Sequence, residues 1–391
     1  MQNVQTRGGV PSSRLPELDA MRGVAAFLVL VHHALRLADT PYPFGDPLAD
    51  RIFHTLMHFS PLRVLEFGRG PVLFFFVLSG YVLTRALLRG GSPGLLAFAV
   101  QRSARLMLPV AASVLLSAAL YFAVVDPSLL QGPLWERRLH LWAEPPNLPA
   151  ALQEMALLQT DTGYPTLNPV LWSLVHEWRL TLFLPLVLLF RGRVWSLLAL
   201  AAAMTALGVL GGANENAVHL GPQLHSTVVA SFYFALGIGS GAALALAGPL
   251  PPLTAGQCRA AGLAAVALLG LEADLAAYLA SVLLILLAQQ PGRFRQFLRR
   301  GPLVWLGKVS FSLYLVHAPV MVAWLFLFYG RLPLWVILVS GLPVALLASA
   351  VMHRLVEAPS RDLARWLERR LARRPHRAGA TTESPAGHGL G

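Results

Sequence analysis

The chain has 391 residues, 55% of them hydrophobic and only 13% charged, with a mean hydropathy of +0.59; about a quarter of residues are charged in soluble domains, so an ordinary soluble fold is excluded. The formal charge of +12 would suit nucleic acid if the basic residues formed one stripe, but they fall in short clusters at the ends of apolar runs: Arg85 and Arg89, Arg102 and Arg105, Arg191 and Arg193, then Arg293, Arg295, Arg299 and Arg300. That is the mark of cytoplasmic loops in membrane proteins and excludes a nucleic-acid partner. The single cysteine, Cys258, excludes an intrachain disulfide framework and a cysteine-based metal site.

Apolar runs near the roughly 20 residues that cross a bilayer recur at 20–37, 71–88, 105–125, 171–190, 194–211, 227–247, 258–271, 274–289, 302–329 and 334–355. They predict an all-α, polytopic membrane bundle with about ten transmembrane helices. An even count places both termini on one side, and the basic clusters, with Arg7, Arg14 and the Arg-rich tail, make that side the cytoplasm. The first run lacks a small-residue cleavage site and reads as a retained helix. The seventh and eighth runs, joined at Leu271–Asp274, are short for full crossings, and a re-entrant pair is the alternative.

Residues 1–17 form a cytoplasmic N-terminal segment, 18–365 the transmembrane domain and 366–391 a basic tail whose composition predicts disorder. The connections 38–70 and 126–170, rich in Pro, Trp, His and Tyr, are placed to cap a site from outside. The internal repeat that marks many transporters is not visible.

Polar groups inside the apolar runs are functional candidates, because ionisable side chains at that depth are costly. On the first run Arg22 and His33 lie eleven residues apart, on one face and about 16 Å from each other. Arg22 falls at the cytoplasmic boundary and His33 past the middle; interhelical hydrogen bonding is the competing role for His33. On the second run Ser79-Gly80 reads more readily as a close-packing device than as a nucleophile, since Gly-x-Ser-x-Gly is absent. Arg102 and Arg105 share a helix face and serve either to grip phosphates by bidentate bonds or as a topogenic cluster.

The fourth run opens Leu171-Trp172-Ser173-Leu174-Val175-His176-Glu177-Trp178-Arg179. Within it Glu177 is placed to orient a histidine, to neutralise Arg22 or Arg179, to accept a substrate hydroxyl, or to form a structural ion pair. The ninth run carries Ser310, Tyr314 and His317 as a polar stripe, the pattern of a cavity wall or of interhelical contacts. Glu357 and Arg361 read as a surface pair.

Together these segments resemble the bacterial acyltransferase-3 family of integral membrane proteins, which acylate sugars and other exported or secondary metabolites. The markers stand in family order over about residues 14–365: Leu18-Asp19-x-x-Arg22-Gly23 with His33, Phe74-Phe75-Phe76-Val77-Leu78-Ser79-Gly80, Arg102-x-x-Arg105, Trp172-Ser173-Leu174-x-x-Glu177, Ser310-x-Ser312-Leu313-Tyr314-Leu315-x-His317, and Glu357-x-Pro359. One departure follows Glu177, where Trp178-Arg179-Leu180-Thr181 replaces a second acidic residue and an aromatic pair; it bears on acceptor identity more than on reaction type.

The resemblance implies a multi-pass protein of the bacterial cytoplasmic (inner) membrane that moves an acyl group, most simply acetyl, from acyl-CoA to a hydroxyl of a carbohydrate or related metabolite. It makes His33 the general base with Glu177 in the catalytic set, and places Arg22, Arg102 and Arg105 on the donor. Ser79, Trp172, Ser173, Tyr314 and His317 fall on the substrate side. Its partners are acyl-CoA as donor substrate, the hydroxyl-bearing acceptor and membrane lipids; no metal and no permanently bound cofactor is expected. An acyl-enzyme on His33 is the alternative route, and acyl handover falls to the membrane domain or a partner. A secondary transporter of a glycan or lipid-linked sugar is the rival from another class, because intramembrane Arg, Glu and His also serve proton relays. A structural role stands third.

Overall fold

The computed structural model describes residues 15–372 apart from 38–43, 45, 60–61, 63–64, 91–93, 127–140, 143–144, 159–165, 215–223 and 250. Arg7, Arg14 and the tail beyond Ala372 lie outside the described residues. Among those described, all regular structure is helical: α1 (Pro16–Leu37), α2 (Pro47–Phe59), α3 (Arg69–Gly90), α4 (Leu95–Val124), α5 (Leu148–Met155), α6 (Leu171–Leu182), a 3₁₀ segment Leu184–Phe190, α7 (Val194–Leu210), α8 (Leu224–Tyr233), α9 (Ala235–Ala247), α10 (Ala255–Leu269), α11 (Asp274–Gln289), α12 (Arg293–Leu298), α13 (Gly301–Phe328), α14 (Leu334–Met352), a π-helical turn His353–Glu357, and α15 (Ala358–Ala372). The first residues assigned to the tail thus belong to α15.

Each of the ten apolar runs is helical; among the described residues five helices are long and apolar enough to cross a membrane, or seven if two bent pairs each count as one, and the three remaining runs form shorter apolar helices. Five continuous stretches are long and apolar enough: α1, α3, α4, α13 and the stretch that begins with α14. The fourth and sixth runs are broken, α6 bending by 48° into Leu184–Phe190 and α8 by 43° into α9. With 17, 15 and 16 residues, α7, α10 and α11 are shorter. Hydropathy sums apolar content and is blind to the breaks. At the first, Pro185 has no N–H to give and the Thr181 hydroxyl bonds back to the Glu177 carbonyl at 2.7 Å. At the second, Thr205 of α7 bridges the gap, donating to the Tyr233 carbonyl at 3.2 Å and accepting from the Leu236 amide at 3.0 Å. Without such a partner these backbone groups would be orphaned in hydrocarbon.

Of the five long apolar stretches the most buried is α13, packed between α1, α14 and α4. It runs parallel to α1, and the two backbones meet at Gly23 and Gly307, where a Cβ on either would fall into the other's main chain. A second close approach joins α3 and α9 at Gly80 and Gly241. Ion pairs fix the helix ends. Arg69 reaches Asp274 through two bonds of 2.6 and 2.5 Å, tying the start of α3 to that of α11. Glu17 at the start of α1 accepts from Arg295 and Arg299, holding α12 and the residue after it against the bundle.

Candidate active site

Between α1, α3, α4, α6 and α13 lies a partly open cavity of about 130 Å³, to whose lining Glu357 and Arg361 also contribute. The Phe-Phe-Val-Leu-Ser run of α3 supplies most of its apolar wall, through Phe75, Phe76, Leu78 and, one turn on, Val82 and Leu83. Helical spacing then turns Ser79 inward.

The inner end is a closed set of mutual partners. Glu177 Oε1 accepts from Arg102 Nη2 at 2.7 Å and from Ser79 Oγ at 2.8 Å. Arg102 Nε donates to Thr181 Oγ1 at 2.5 Å, so α3, α4 and α6 are locked through one carboxylate. Ser173 Oγ and the Tyr314 hydroxyl stand 2.7 Å apart, and the tyrosine donates to the Val170 carbonyl at 3.1 Å, joining α13 to the start of α6.

The mouth is cationic. Arg22 Nε donates to Ser310 at 3.0 Å and a terminal nitrogen lies 3.4 Å from Asp19. Arg105 is exposed and makes no hydrogen bond or ion pair with any described residue. Arg361 stands 3.6 Å from Glu357. Glu357 is 5% exposed and accepts from Ser312 at 2.7 Å and from His353 at 3.0 Å, which corrects the reading of Glu357 and Arg361 as a surface pair. The π turn is the reason: its extra residue re-aims the chain after α14, so Glu357 turns into the bundle.

One turn beyond Tyr314, outside the cavity lining, the first and ninth runs bring their histidines together. His33 Nδ1 is 2.9 Å from His317 Nε2, and His317 Nδ1 is 3.0 Å from the Leu313 carbonyl. A carbonyl only accepts, so His317 carries its proton on Nδ1 and presents a lone pair at Nε2. His33 must then donate from Nδ1. Its Nε2 is left with the lone pair that a base requires, and the residue is half-buried. The Tyr314 and His317 rings, 6.0 Å apart between centroids, link this pair to the cavity.

Arg22, Ser79, Arg102, Arg105, Ser173, Glu177 and Tyr314 thus share one cavity, with His33 and His317 adjoining it. Trp172 lies elsewhere, packed beside the Arg69 guanidinium 5.9 Å from its ring and in a T-shaped contact with His176. Of the partners proposed for Glu177, Arg22 and Arg179 are not those observed. Arg179 bonds the Leu158 carbonyl at 2.7 Å and Thr227 on α8, which gives the departure after Glu177 a structural role.

The segment before α6 was not read from sequence as part of the site. Glu154 of α5, 3% exposed, accepts from the backbone amides of Leu167 and Asn168 at 2.9 and 3.0 Å. Burial pushes its carboxyl up to about 7 despite these donors. Parts of both connections expected to cap the site, including 127–140 and 159–165, lie outside the described residues.

The Acyl_transf_3 family model, described as an acyltransferase domain, matches residues 15–354. No significant match to the chain is found among curated proteins or among solved structures. The matched segment carries the histidine pair and all of the cavity lining except Glu357 and Arg361, and the helices are those of a multi-pass membrane protein. The chain therefore belongs to the acyltransferase-3 family and is an acyltransferase.

Proposed function

We propose that the protein transfers an acyl group, most simply acetyl, from acyl-CoA to a hydroxyl of a carbohydrate or related metabolite of the bacterial cell envelope, with His33 as general base. The observation that carries this reading is the hydrogen-bond chain from His33 through His317 to the Leu313 carbonyl, which leaves the lone pair on His33 Nε2. The cavity beside it has the charge a CoA donor needs. Arg22, Arg105 and Arg361 ring its mouth while Arg102 is neutralised by Glu177, so the cations left for phosphates are at the rim and not deeper.

In this reading the mouth faces the cytoplasm, where acyl-CoA is made, and the donor enters with its phosphates at the arginines and its thioester toward Ser173 and Tyr314. His33 Nε2 takes the proton of the acceptor hydroxyl as that oxygen attacks the thioester carbonyl carbon. The tetrahedral intermediate expels CoA as its thiolate, which recovers the proton from His33; the products are the ester and free CoA. His317 accepts the His33 Nδ1–H throughout and holds the ring and its tautomer.

The test is release of free thiol from acetyl-CoA by the purified, detergent-solubilised protein, with and without a panel of sugar acceptors. Wild-type turnover that His33→Ala cuts by about 10²–10⁴-fold is the expected result. Retention of more than about a tenth of wild-type turnover would remove His33 from the role.

A further inference from the structure

Pro319 lies inside α13, two residues past His317. Proline has no N–H, so the Leu315 carbonyl one turn earlier has no helical donor, and an orphaned carbonyl inside a membrane bundle is costly. The missing donor comes from outside the helix. Asn168 Nδ2 donates to the Leu315 carbonyl at 2.8 Å and also to Ser113 Oγ of α4 at 3.1 Å, and the residue is fully buried.

Asn168 is itself fixed on both sides. Its amide donates to Glu154, and its carbonyl accepts from the Leu171 amide at 3.1 Å, the first residue of α6. One residue therefore joins α6, which carries Ser173 and Glu177, through its backbone carbonyl to the turn of α13 that carries Tyr314 and His317, through its side chain. The same link brings Ser173 to 2.7 Å from Tyr314, and it seats the ring that accepts the hydrogen bond of His33 Nδ1–H.

We propose that Asn168 is a positioning residue for the His33–His317 pair, acting by capping the Leu315 carbonyl that Pro319 leaves open. The kinetic part rests on the acyl-transfer reading above; the capping does not. Asn168 is not among the residues that line the cavity, so its loss is expected to act on kcat and to leave donor binding alone. A displacement of about 1 Å at a reacting group costs on the order of 10²-fold in rate.

The proline supplies the discriminating variant. Asn168→Ala removes the outside donor, and Pro319→Ala returns an N–H to the helix, where it bonds Leu315 without help. Two quantities are measured on the full-length protein in detergent: acetyl-CoA kinetics, and hydrogen–deuterium exchange of the α13 amides after Leu315. Asn168→Ala is expected to lower kcat by about 10–100-fold with an unchanged KM for acetyl-CoA, and to raise exchange in that turn. Asn168→Ala with Pro319→Ala is expected to recover most of both losses, a rescue that general loss of packing at Asn168 would not show. Should Asn168→Ala not give monodisperse protein, Asn168→Ser, which is too short to reach Leu315, takes its place.

Unchanged kcat in the single variant, a rise in KM alone, or exchange that Pro319→Ala does not reverse would each overturn the proposal. Wild-type protein inert toward acetyl-CoA would overturn the acyl-transfer reading and the kinetic half with it. Exchange would still decide whether Asn168 caps Leu315.

Discussion

Arg102 and Arg105 stand one turn apart on α4, at the inner end and at the mouth of one cavity, and their surroundings differ completely. Arg102, with 9% of its side chain exposed, is consumed by Glu177 and Thr181. Arg105 is exposed and makes no hydrogen bond or ion pair with a described residue. A buried charge must be matched within the protein or it destabilises the fold. An exposed one near an apolar cavity is free to meet a ligand. The inner end therefore holds geometry and the mouth holds affinity, so substitutions at the two should fail in different ways.

The largest effect is expected beyond the inner end, at His33: His33→Ala should cut kcat by about 10²–10⁴-fold while the protein stays folded, as thiol-release kinetics and size-exclusion profiles would show. Glu177→Ala strands Arg102 in the bundle and should cost about 3–5 kcal/mol of stability, read as a fall in the thermal midpoint or loss of monodisperse protein. Arg105→Ala should leave that midpoint in place and raise the KM for acetyl-CoA by about tenfold, equivalent to about 1.4 kcal/mol, with a smaller penalty at high salt. An Arg105→Ala protein that unfolds, or a Glu177→Ala protein that loses only donor affinity, would erase the distinction.

The smallest effect lies in the Glu154 clasp. Its carboxyl is raised by burial to about 7 in the folded protein, against an ordinary value of 4.5, so the neutral form is the one the fold favours. The stability it permits is full below pH 4.5 and declines as pH rises toward and past 7, where the charge must be carried in a buried site. Glu154→Gln should flatten the change in thermal midpoint between those limits by roughly a few degrees.

Much of this arrangement was legible in the residues. Arg22 and His33 on one helix and Ser310, Tyr314 and His317 on another declared themselves as polar groups in apolar runs, because only a functional or pairing role repays that placement. Their pairing, Arg22 with Ser310 and His33 with His317, was not legible, since periodicity assigns faces and not neighbours. Glu357 was missed because a π turn inserts one residue of rotation that no helical wheel anticipates. Asn168 left a weaker trace: Pro319 announced an open carbonyl at Leu315, but its donor comes from 147 positions away. The breaks at Phe183 and Phe234 escaped hydropathy for the same kind of reason, because a run of apolar residues looks alike whether its hydrogen bonds continue or stop.

The division between mouth and histidine pair is tested most directly by calorimetric titration of acetyl-CoA into His33→Ala and Arg105→Ala, set beside their turnover. The expected result is that His33→Ala binds acetyl-CoA as wild type does and does not turn it over, while Arg105→Ala binds weakly and reaches wild-type turnover at saturating donor. Loss of donor binding in His33→Ala, or wild-type affinity in Arg105→Ala, would contradict it.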